Sequence, residues 1–262
     1  MKNRIEQVER EPRVLFWDIE TTPLLGYTWG LWQQNVIRVD EEWWMLCFSY
    51  AWGEDGAVEV VAQPDYKRSY KRNRKDDRKV VEALWKLLDE ADVVVGHNVR
   101  AFDIKKANAR FMVHGLPAPS PYQVVDTLAV LRNKAKLSSN RLDSAGEQLG
   151  LGRKTGHSGF DTWLGCMSGA DWAWDEMTKY AAQDTVLLQD LYKYLLYNGW
   201  ITNHPNMANI TGRLESCPNC GCEHLHKRGL AHTKTAVYER YQCTSCETYH
   251  RKRKTGTGPA YL

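Results

Sequence analysis

An apolar run that ends in two acidic residues constrains the fold of this 262-residue chain most strongly. Residues 14–17 (Val-Leu-Phe-Trp) predict a buried strand, and Asp18 and Glu20 follow directly. Side chains two apart on a strand lie on one face, so both carboxylates can reach the same ion. Carboxylates that lie close together repel each other unless cations neutralise them. The run therefore predicts a core strand that presents a site for hard divalent metal ions, suited to phosphodiester chemistry.

Further acidic residues follow in a fixed order along the chain. Asp103 ends the segment Asn-Val-Arg-Ala-Phe-Asp, and Tyr180 and Asp184 bracket Tyr-Ala-Ala-Gln-Asp. A spacing of four in a helical pattern places Tyr180 and Asp184 on one face, one turn apart. Taken singly, Asp184 is better explained as an exposed helix residue, Tyr180 as a core tyrosine and Asp103 as an acid that favours a helix N-terminus. The full series in order favours a shared site.

The same short patterns also occur elsewhere by chance. Asp40 and Glu42 repeat Asp-x-Glu, and Tyr122 and Asp126 repeat Tyr-x-x-x-Asp. Composition alone yields roughly one chance copy of each in a chain of this length. No strand is predicted before Asp40, and Tyr122 and Asp126 flank a short Val-Val strand. Context thus excludes both copies from the predicted site.

The three motifs, in this order, resemble the DEDD superfamily of 3′–5′ exonucleases, in the branch marked by a tyrosine before the last aspartate. The resemblance covers about residues 13–198. It implies a ribonuclease-H-like α/β fold, a mixed sheet with flanking helices. It implies that four carboxylates bind two Mg²⁺ or Mn²⁺ ions and that Tyr180 orients the attacking water; the carboxylates are Asp18, Glu20, Asp103 and Asp184.

Five of the seven cysteines cluster near the C-terminus. Two Cys-x-x-Cys pairs, separated by 22 residues, nearly fit a four-cysteine zinc ribbon holding one structural Zn²⁺. Cys222 is expected to be a free thiol, although it and three histidines lie near enough in sequence to be rival ligands. The predicted zinc ligands are Cys217, Cys220, Cys243 and Cys246, and the rival histidines are His224, His226 and His250.

The C-terminal part of the chain is also basic. From Arg213 onward it carries nine Lys/Arg and four Asp/Glu, a net charge of +5, which leaves −2 for the rest of a chain whose formal charge is +3. A basic module favours a polyanionic partner. The predicted phosphate contacts are Arg251, Lys252, Arg253 and Lys254; docking to a protein is the alternative use of such a module.

Turn-forming residues divide the chain into three predicted parts. We predict an exonuclease domain over residues 1–200, a linker over 201–212 and a zinc ribbon over 213–262. Residues 67–79, with eight Lys/Arg, predict a mobile basic loop that is either solvated or tracks a phosphate backbone. The Gly-rich residues 152–169 predict another loop. Strands are expected at 13–20, 42–52, 57–62, 92–96 and 124–125, and helices at 76–90, 101–114, 141–150 and 173–196.

Aromatic residues are abundant, with eleven Trp and thirteen Tyr. Most are expected to fill the core, and those in loop-like stretches could stack on nucleic-acid bases. The stacking candidates are Trp29, Trp32, Trp163 and Trp172.

These features together predict a metal-dependent 3′–5′ exonuclease that acts on DNA. The alternatives are an exoribonuclease of the same superfamily and a nucleic-acid-binding protein whose site is silent. Any proofreading role would require a separate DNA polymerase as partner. No apolar run reaches the roughly 20 residues of a membrane helix, and the charged N-terminus lacks the apolar stretch of a signal peptide. A cytoplasmic location is therefore expected.

Overall fold

The computed structural model describes residues 10–32, 34–152 and 158–253. Its centre is a five-stranded mixed sheet, as predicted for the α/β class. The described strands, in chain order, are β1 (Val14–Thr21), β2 (Leu25–Tyr27), β3 (Arg38–Glu41), β4 (Met45–Trp52), β5 (Glu59–Ala62), β6 (Val93–Gly96), β7 (Gln123–Asp126), β8 (Leu225–His232), β9 (Val237–Cys243) and β10 (Tyr249–Arg253).

Strand β1 occupies the middle of the sheet order β5-β4-β1-β6-β7. It pairs antiparallel with β4 on one side and parallel with β6 on the other. Strands β4 and β5 are joined by a short connection and run antiparallel, and β1 reaches β4 through the longer segment that contains β2 and β3. Strands β6 and β7 follow helical crossovers and run parallel. Because β1 has a neighbour on both sides, its side chains are aimed rigidly.

Helices cover both faces of this sheet. Alternate residues of β1 face opposite layers: Leu15 and Trp17 pack in the cluster of α2 and α3, and Phe16 packs in the cluster of α7. The described helices are α1 (Lys67–Arg72), α2 (Arg78–Glu90), α3 (Asp103–Val113), α4 (Thr127–Lys134), α5 (Leu142–Gln148), α6 (Phe160–Ser168), α7 (Asp171–Tyr197) and α8 (Met207–Thr211).

Two segments predicted as loops are partly helical. The basic segment 67–79 contains α1 and the start of α2, and Tyr70 and Arg74 tie it to the body by bonds to the Trp174 indole and the Ser168 carbonyl. The Gly-rich segment 152–169 contains α6, where an added Cβ at Gly165 would collide with Ala173 of α7. Close packing of α6 on α7 outweighs the low helix propensity of glycine.

The chain between β1 and β4 forms a projecting hairpin, called the arm, made of residues 23–32 and 34–43. Strands β2 and β3 pair with each other and not with the central sheet. At its root, the Thr22 amide donates to the Trp44 carbonyl at 2.9 Å, and the Trp44 amide donates to Thr22 Oγ1 at 3.0 Å. The prediction that no strand precedes Asp40 is wrong, because Asp40 lies in β3. This strand belongs to the separate two-stranded sheet of the arm.

The C-terminal region is a three-stranded antiparallel sheet in the order β10-β9-β8. The connection before it, predicted as a linker, contains α8 and buries Ile201 and Met207. These residues share a hydrophobic cluster with Leu195 of α7 and with Cys217 and Cys243 of the cysteine knuckles. The ribbon is therefore packed against the end of α7.

Within the described ranges, no helix combines the length and the apolar character that crossing a membrane would require.

Candidate active site and metal centres

Three of the four predicted carboxylates meet at one point. Asp18 and Glu20 lie on the same face of β1 as Phe16, and Phe16 packs edge-on against Tyr192 of α7, with ring centroids 5.0 Å apart. Asp184 lies on α7, and its carboxylate oxygen lies within 4.8 Å of one from each of the other two. The two-residue period of the strand and the position of α7 over that face bring the group together.

A buried hydroxyl pair fixes α7 on the sheet beside this group. Ser49 of β4 is the cross-strand neighbour of Asp18. Its Oγ lies 2.7 Å from Oγ1 of Thr185, the residue after Asp184, and both residues are fully buried. The register of β1 with β4 therefore also sets the position of Asp184.

Asp103 lies beside the three carboxylates but outside the compact group. It is the first residue of α3, is 2 % exposed, and accepts a 3.4 Å hydrogen bond from the amide of Ile19, between Asp18 and Glu20. Burial raises the pKa of Asp103 to about 7; backbone hydrogen bonds oppose this shift and the charge of Asp126 adds to it. Asp103 thus reaches β1 from the opposite helical layer.

Tyr180 lies one helical turn before Asp184, as predicted. Its half-buried ring packs edge-on against Trp163 of α6, with centroids 6.0 Å apart. Helix α6 therefore supports the tyrosine from behind. Of the predicted stacking residues, Trp163 is thus a packing residue of this site, whereas Trp172 is 53 % exposed on α7.

The group opens into a cleft of about 430 Å³. Asp18 and Asp184 line it together with residues that sequence reasoning did not select. The added residues are His97, Asn98, Leu128, Arg132, Asn140, Arg141, Leu142 and Asp143.

Two of the added residues have local roles that can be assigned. His97 Nδ1 lies 2.9 Å from Thr127 Oγ1, and its Nε2 lies 2.8 Å from the Asn140 carbonyl, so the imidazole joins three walls of the cleft. Asn98 has a φ of 68°, in the left-handed region that asparagine tolerates better than most residues. An asparagine two residues after a Val-rich strand is a sequence signal that could have marked this turn.

Asp126, excluded above as part of a chance motif, has a structural role. Its carboxylate accepts hydrogen bonds from the amides of Asn98 and Arg100 at 3.0 and 3.2 Å. It also caps α4 by accepting from Leu128 and Ala129 at 3.1 and 3.3 Å. Asp126 therefore shapes the turn that leads into Asp103.

The carboxylate group fits hard divalent cations. Oxygen donors suit Mg²⁺ and Mn²⁺, and oxygens within 4.8 Å of one another can share one ion. Asp18, Glu20 and Asp184 would hold such an ion, with Asp103 close behind β1.

The four predicted zinc ligands also meet. The Sγ atoms of Cys217 and Cys246 lie 3.6 Å apart, as do those of Cys220 and Cys243. A tetrahedral site with Zn–S bonds of about 2.3 Å has sulfur–sulfur edges of about 3.8 Å, so the spacing suits zinc. Hydrogen bonds from Cys217 and Cys220 lower the pKa of the Cys246 thiol, whereas the pKa values of Cys217 and Cys220 are raised, so the metal-free group concentrates its negative charge on one sulfur.

The rival ligands lie outside this group of four. Cys222 is partly exposed, and its Sγ hydrogen-bonds to the backbone carbonyl and amide of His224. The His250 Nε2 lies 3.2 Å from the sulfur of Cys217, where it can hydrogen-bond to a ligand.

Part of the predicted phosphate patch can be described. Arg251 is exposed and its guanidinium lies 5.4 Å from the ring centroid of Tyr238, whereas Lys252 pairs with Glu215 at 2.6 Å. The side chain of Arg253 and all of Lys254 lie outside the described residues.

Comparisons with known proteins agree with this architecture. A family model for the RNase H superfamily matches residues 15–196. The chain belongs to the RNase H superfamily. Among solved structures, it is similar to the family B DNA polymerase from the hyperthermophilic archaeon Pyrobaculum calidifontis, with a TM-score of 0.54 and 18% identity. The alignment covers 73% of this chain and 25% of the polymerase chain, and the likeness is one of fold. A search of curated proteins found no match.

RNase H superfamily membership confirms the predicted fold and places the carboxylate group in a nuclease fold. The family match spans the central sheet and ends at residue 196, near the end of α7. The cysteine knuckles therefore lie outside the matched region.

Proposed function

We propose that this RNase H superfamily protein is a metal-dependent 3′–5′ exonuclease that hydrolyses DNA. The observation that carries the proposal is the meeting of Asp18, Glu20 and Asp184 at an open cleft, with Tyr180 one turn away on α7. The direction of digestion rests on the resemblance of the ordered motifs to the DEDD exonucleases. The basic C-terminal region supports a nucleic-acid substrate, and DNA as that substrate is part of the proposal.

In the proposed reaction, a water oxygen bonds to phosphorus as the P–O3′ bond breaks, which releases a nucleoside 5′-monophosphate. When bound, two divalent ions would neutralise the carboxylates, activate the water and stabilise the leaving oxygen. Asp18 and Glu20 hold their positions because β1 is paired on both sides. A tyrosine hydroxyl is a poor base at neutral pH, so Tyr180 orients the water by a hydrogen bond.

Cationic side chains also line the cleft and could hold the substrate. Arg132, in the last turn of α4, and Arg141, the N-cap of α5, line it together with Asp18 and Asp184. A guanidinium suits a phosphate because it offers a planar pair of donors. The two arginines would hold the strand while the carboxylates act on its terminal phosphodiester.

Labelled oligonucleotides test both the activity and its direction. With Mg²⁺ or Mn²⁺, a 5′-labelled DNA strand should shorten stepwise, whereas a 3′-label should leave at once as a mononucleotide. EDTA should stop both reactions. Faster digestion of a matched RNA strand would identify an exoribonuclease, and binding without cleavage would identify a silent site.

Asp18→Ala should abolish hydrolysis without unfolding the protein. Removal of one carboxylate relieves repulsion in the metal-free group, so the free energy of unfolding should stay equal or rise. The control is Asp175→Ala, which removes an exposed carboxylate of α7, the helix that carries Asp184, and should leave the rate unchanged. Wild-type turnover by Asp18→Ala would refute the assignment.

A further inference from the structure

The arm is the most unusual exposed feature of the described chain. Its aromatic and aliphatic side chains project into solvent: Trp29 is 89 % exposed, Leu31 92 %, Trp32 83 % and Tyr27 59 %. Proteins rarely leave such a group of large apolar side chains uncovered unless it binds something. Two indole rings near the outer end of the arm suit a flat ligand that can stack on them.

The arm begins next to the candidate active site. Thr22, at its root, is two residues beyond Glu20, a separation of about 7 Å along a strand. The Thr22–Trp44 hydrogen bonds hold this root in the buried sheet, so the arm leaves the sheet at the end of β1 that carries the carboxylates. Anything that lies on the arm is therefore close to the cleft.

A cationic segment lies against the base of the arm. Residues 67–75 carry six Lys/Arg and no acidic residue, and all six side chains are exposed. Lys75 of this segment pairs with Glu41 of β3 at 2.5 Å, which ties the segment to the arm. Arg74 holds the Ser168 carbonyl at 2.6 Å and anchors the segment to α6. A row of cations thus lies at the base of the arm, whose outer end carries the aromatic rings.

We propose that the arm binds the bases of a single-stranded nucleic acid by stacking on Trp29 and Trp32, while the segment 67–75 contacts its phosphates. Stacking on aromatic side chains combined with a cationic track is the chemistry of single-strand binding. The inference rests on the proposed nuclease function for its direction, since the held strand leads to the cleft. It makes a single strand, or a frayed end, the preferred substrate.

Binding can be measured apart from cleavage. A fluorescein-labelled single-stranded DNA 12-mer, mixed with the full chain in EDTA, reports the Kd by anisotropy. The Trp29→Ala/Trp32→Ala double variant should raise the Kd at least about tenfold, because each stacked base contributes severalfold to affinity. The Trp29→Phe/Trp32→Phe variant keeps flat rings and should recover part of this loss.

Leu31→Ala is the matched control on the same arm. Leu31 is as exposed as the two tryptophans but cannot stack on a base, so its Kd should stay within about twofold of wild type. A 12-mer of abasic residues should bind wild type about as weakly as the intact 12-mer binds the double alanine variant. A salt titration should give a smaller slope for Lys67→Ser/Arg68→Ser/Lys71→Ser, by about 0.7 for each lost contact.

Several results would overturn the proposal. They are no binding of the 12-mer by wild type, equal losses in Leu31→Ala and the tryptophan variants, or an unchanged Kd in the double alanine variant. A dimer that the tryptophan substitutions dissociate, with DNA binding unchanged, would assign the arm to a second copy of the chain. Tryptophan-dependent binding without any cleavage would refute the nuclease proposal and leave this one intact, whereas cleavage without tryptophan dependence would do the reverse.

Discussion

At the scale of single residues, the proposed mechanism assigns metal binding to the carboxylates and the orientation of water to Tyr180. Asp18 and Glu20 are fixed by strand pairing, whereas Tyr180 is fixed by one turn of helix and by Trp163. Because Trp163 holds the ring of Tyr180, the hydroxyl can be removed without moving the ring. The tyrosine is therefore the residue whose role mutation can isolate best.

Tyr180→Phe should slow hydrolysis by roughly 10²–10⁴-fold, the range typical of losing a group that positions or transfers a proton. The phenyl ring retains its contact with Trp163, so Mn²⁺ affinity and thermal unfolding should match wild type. Tyr194→Phe, on the same helix but packed in the hydrophobic cluster, is the control. A parallel loss of Mn²⁺ affinity in calorimetric titration would show that the tyrosine serves the metal.

At the scale of elements, the turn between β6 and α3 is organised by a residue from another strand. Asp126 ends β7, yet it accepts the amides of Asn98 and Arg100 and also caps α4. One carboxylate therefore holds the ends of two parallel strands in register. Asp103, the first residue of α3, depends on this turn for its position.

Asp126→Ala should lower the free energy of unfolding by about 2–4 kcal/mol, from a lost helix cap and two further backbone donors left without an acceptor. It should also reduce hydrolysis, because Asp103 moves with its turn. Asp126→Asn keeps one acceptor oxygen, so its free energy of unfolding, measured by urea denaturation, should lie between those of wild type and Asp126→Ala. The exposed Asp171→Ala on α7 is the control, and a loss as small as that of Asp171→Ala would contradict this role.

Much of the fold and part of the site follow from sequence because their signals are local. The apolar run before Asp18 and the helical spacing of Tyr180 and Asp184 predict β1, α7 and the facing carboxylates. Helix α6 was missed because Gly165 within it and the glycines at both its ends disfavour a helix until Ala173 packs against Gly165. The arm was missed because its strands are short and bury nothing, and His97 and Arg132 were missed because only folding brings them to the cleft.

At the scale of the whole molecule, the cysteine knuckles and the nuclease fold share one core. Cys217, Cys243 and Cys246 pack in the same cluster as Leu195 and Ile201, and the Asn219 side chain donates to the Ile201 carbonyl at 2.5 Å. Removal of the region after residue 209 would uncover this cluster. The ribbon therefore has a structural role besides its proposed role in binding DNA.

Loss of the metal should destabilise the nuclease fold as well as the ribbon. All eleven tryptophans lie at or before Trp200, so tryptophan fluorescence reports the nuclease fold alone. The Cys243→Ser/Cys246→Ser variant should lose about one zinc per chain, as measured by elemental analysis, and its fluorescence transition should shift to lower temperature. Cys222→Ser should retain both properties. An unchanged transition in the zinc-free variant would mean that the two parts unfold independently.

The continuous helix α7 runs from the candidate active site to the cluster that holds the cysteine knuckles and fixes the distance between them. From Asp184 to Leu196, which packs in the cluster that also holds the cysteine knuckles, is twelve residues, or about 18 Å of unbroken helix. A strand gripped by the ribbon while its end lies in the cleft must span at least this length. Digestion would then have a minimum substrate length. An oligonucleotide too short to contact both the ribbon and the cleft would dissociate, and the protein would leave a short remnant of constant size.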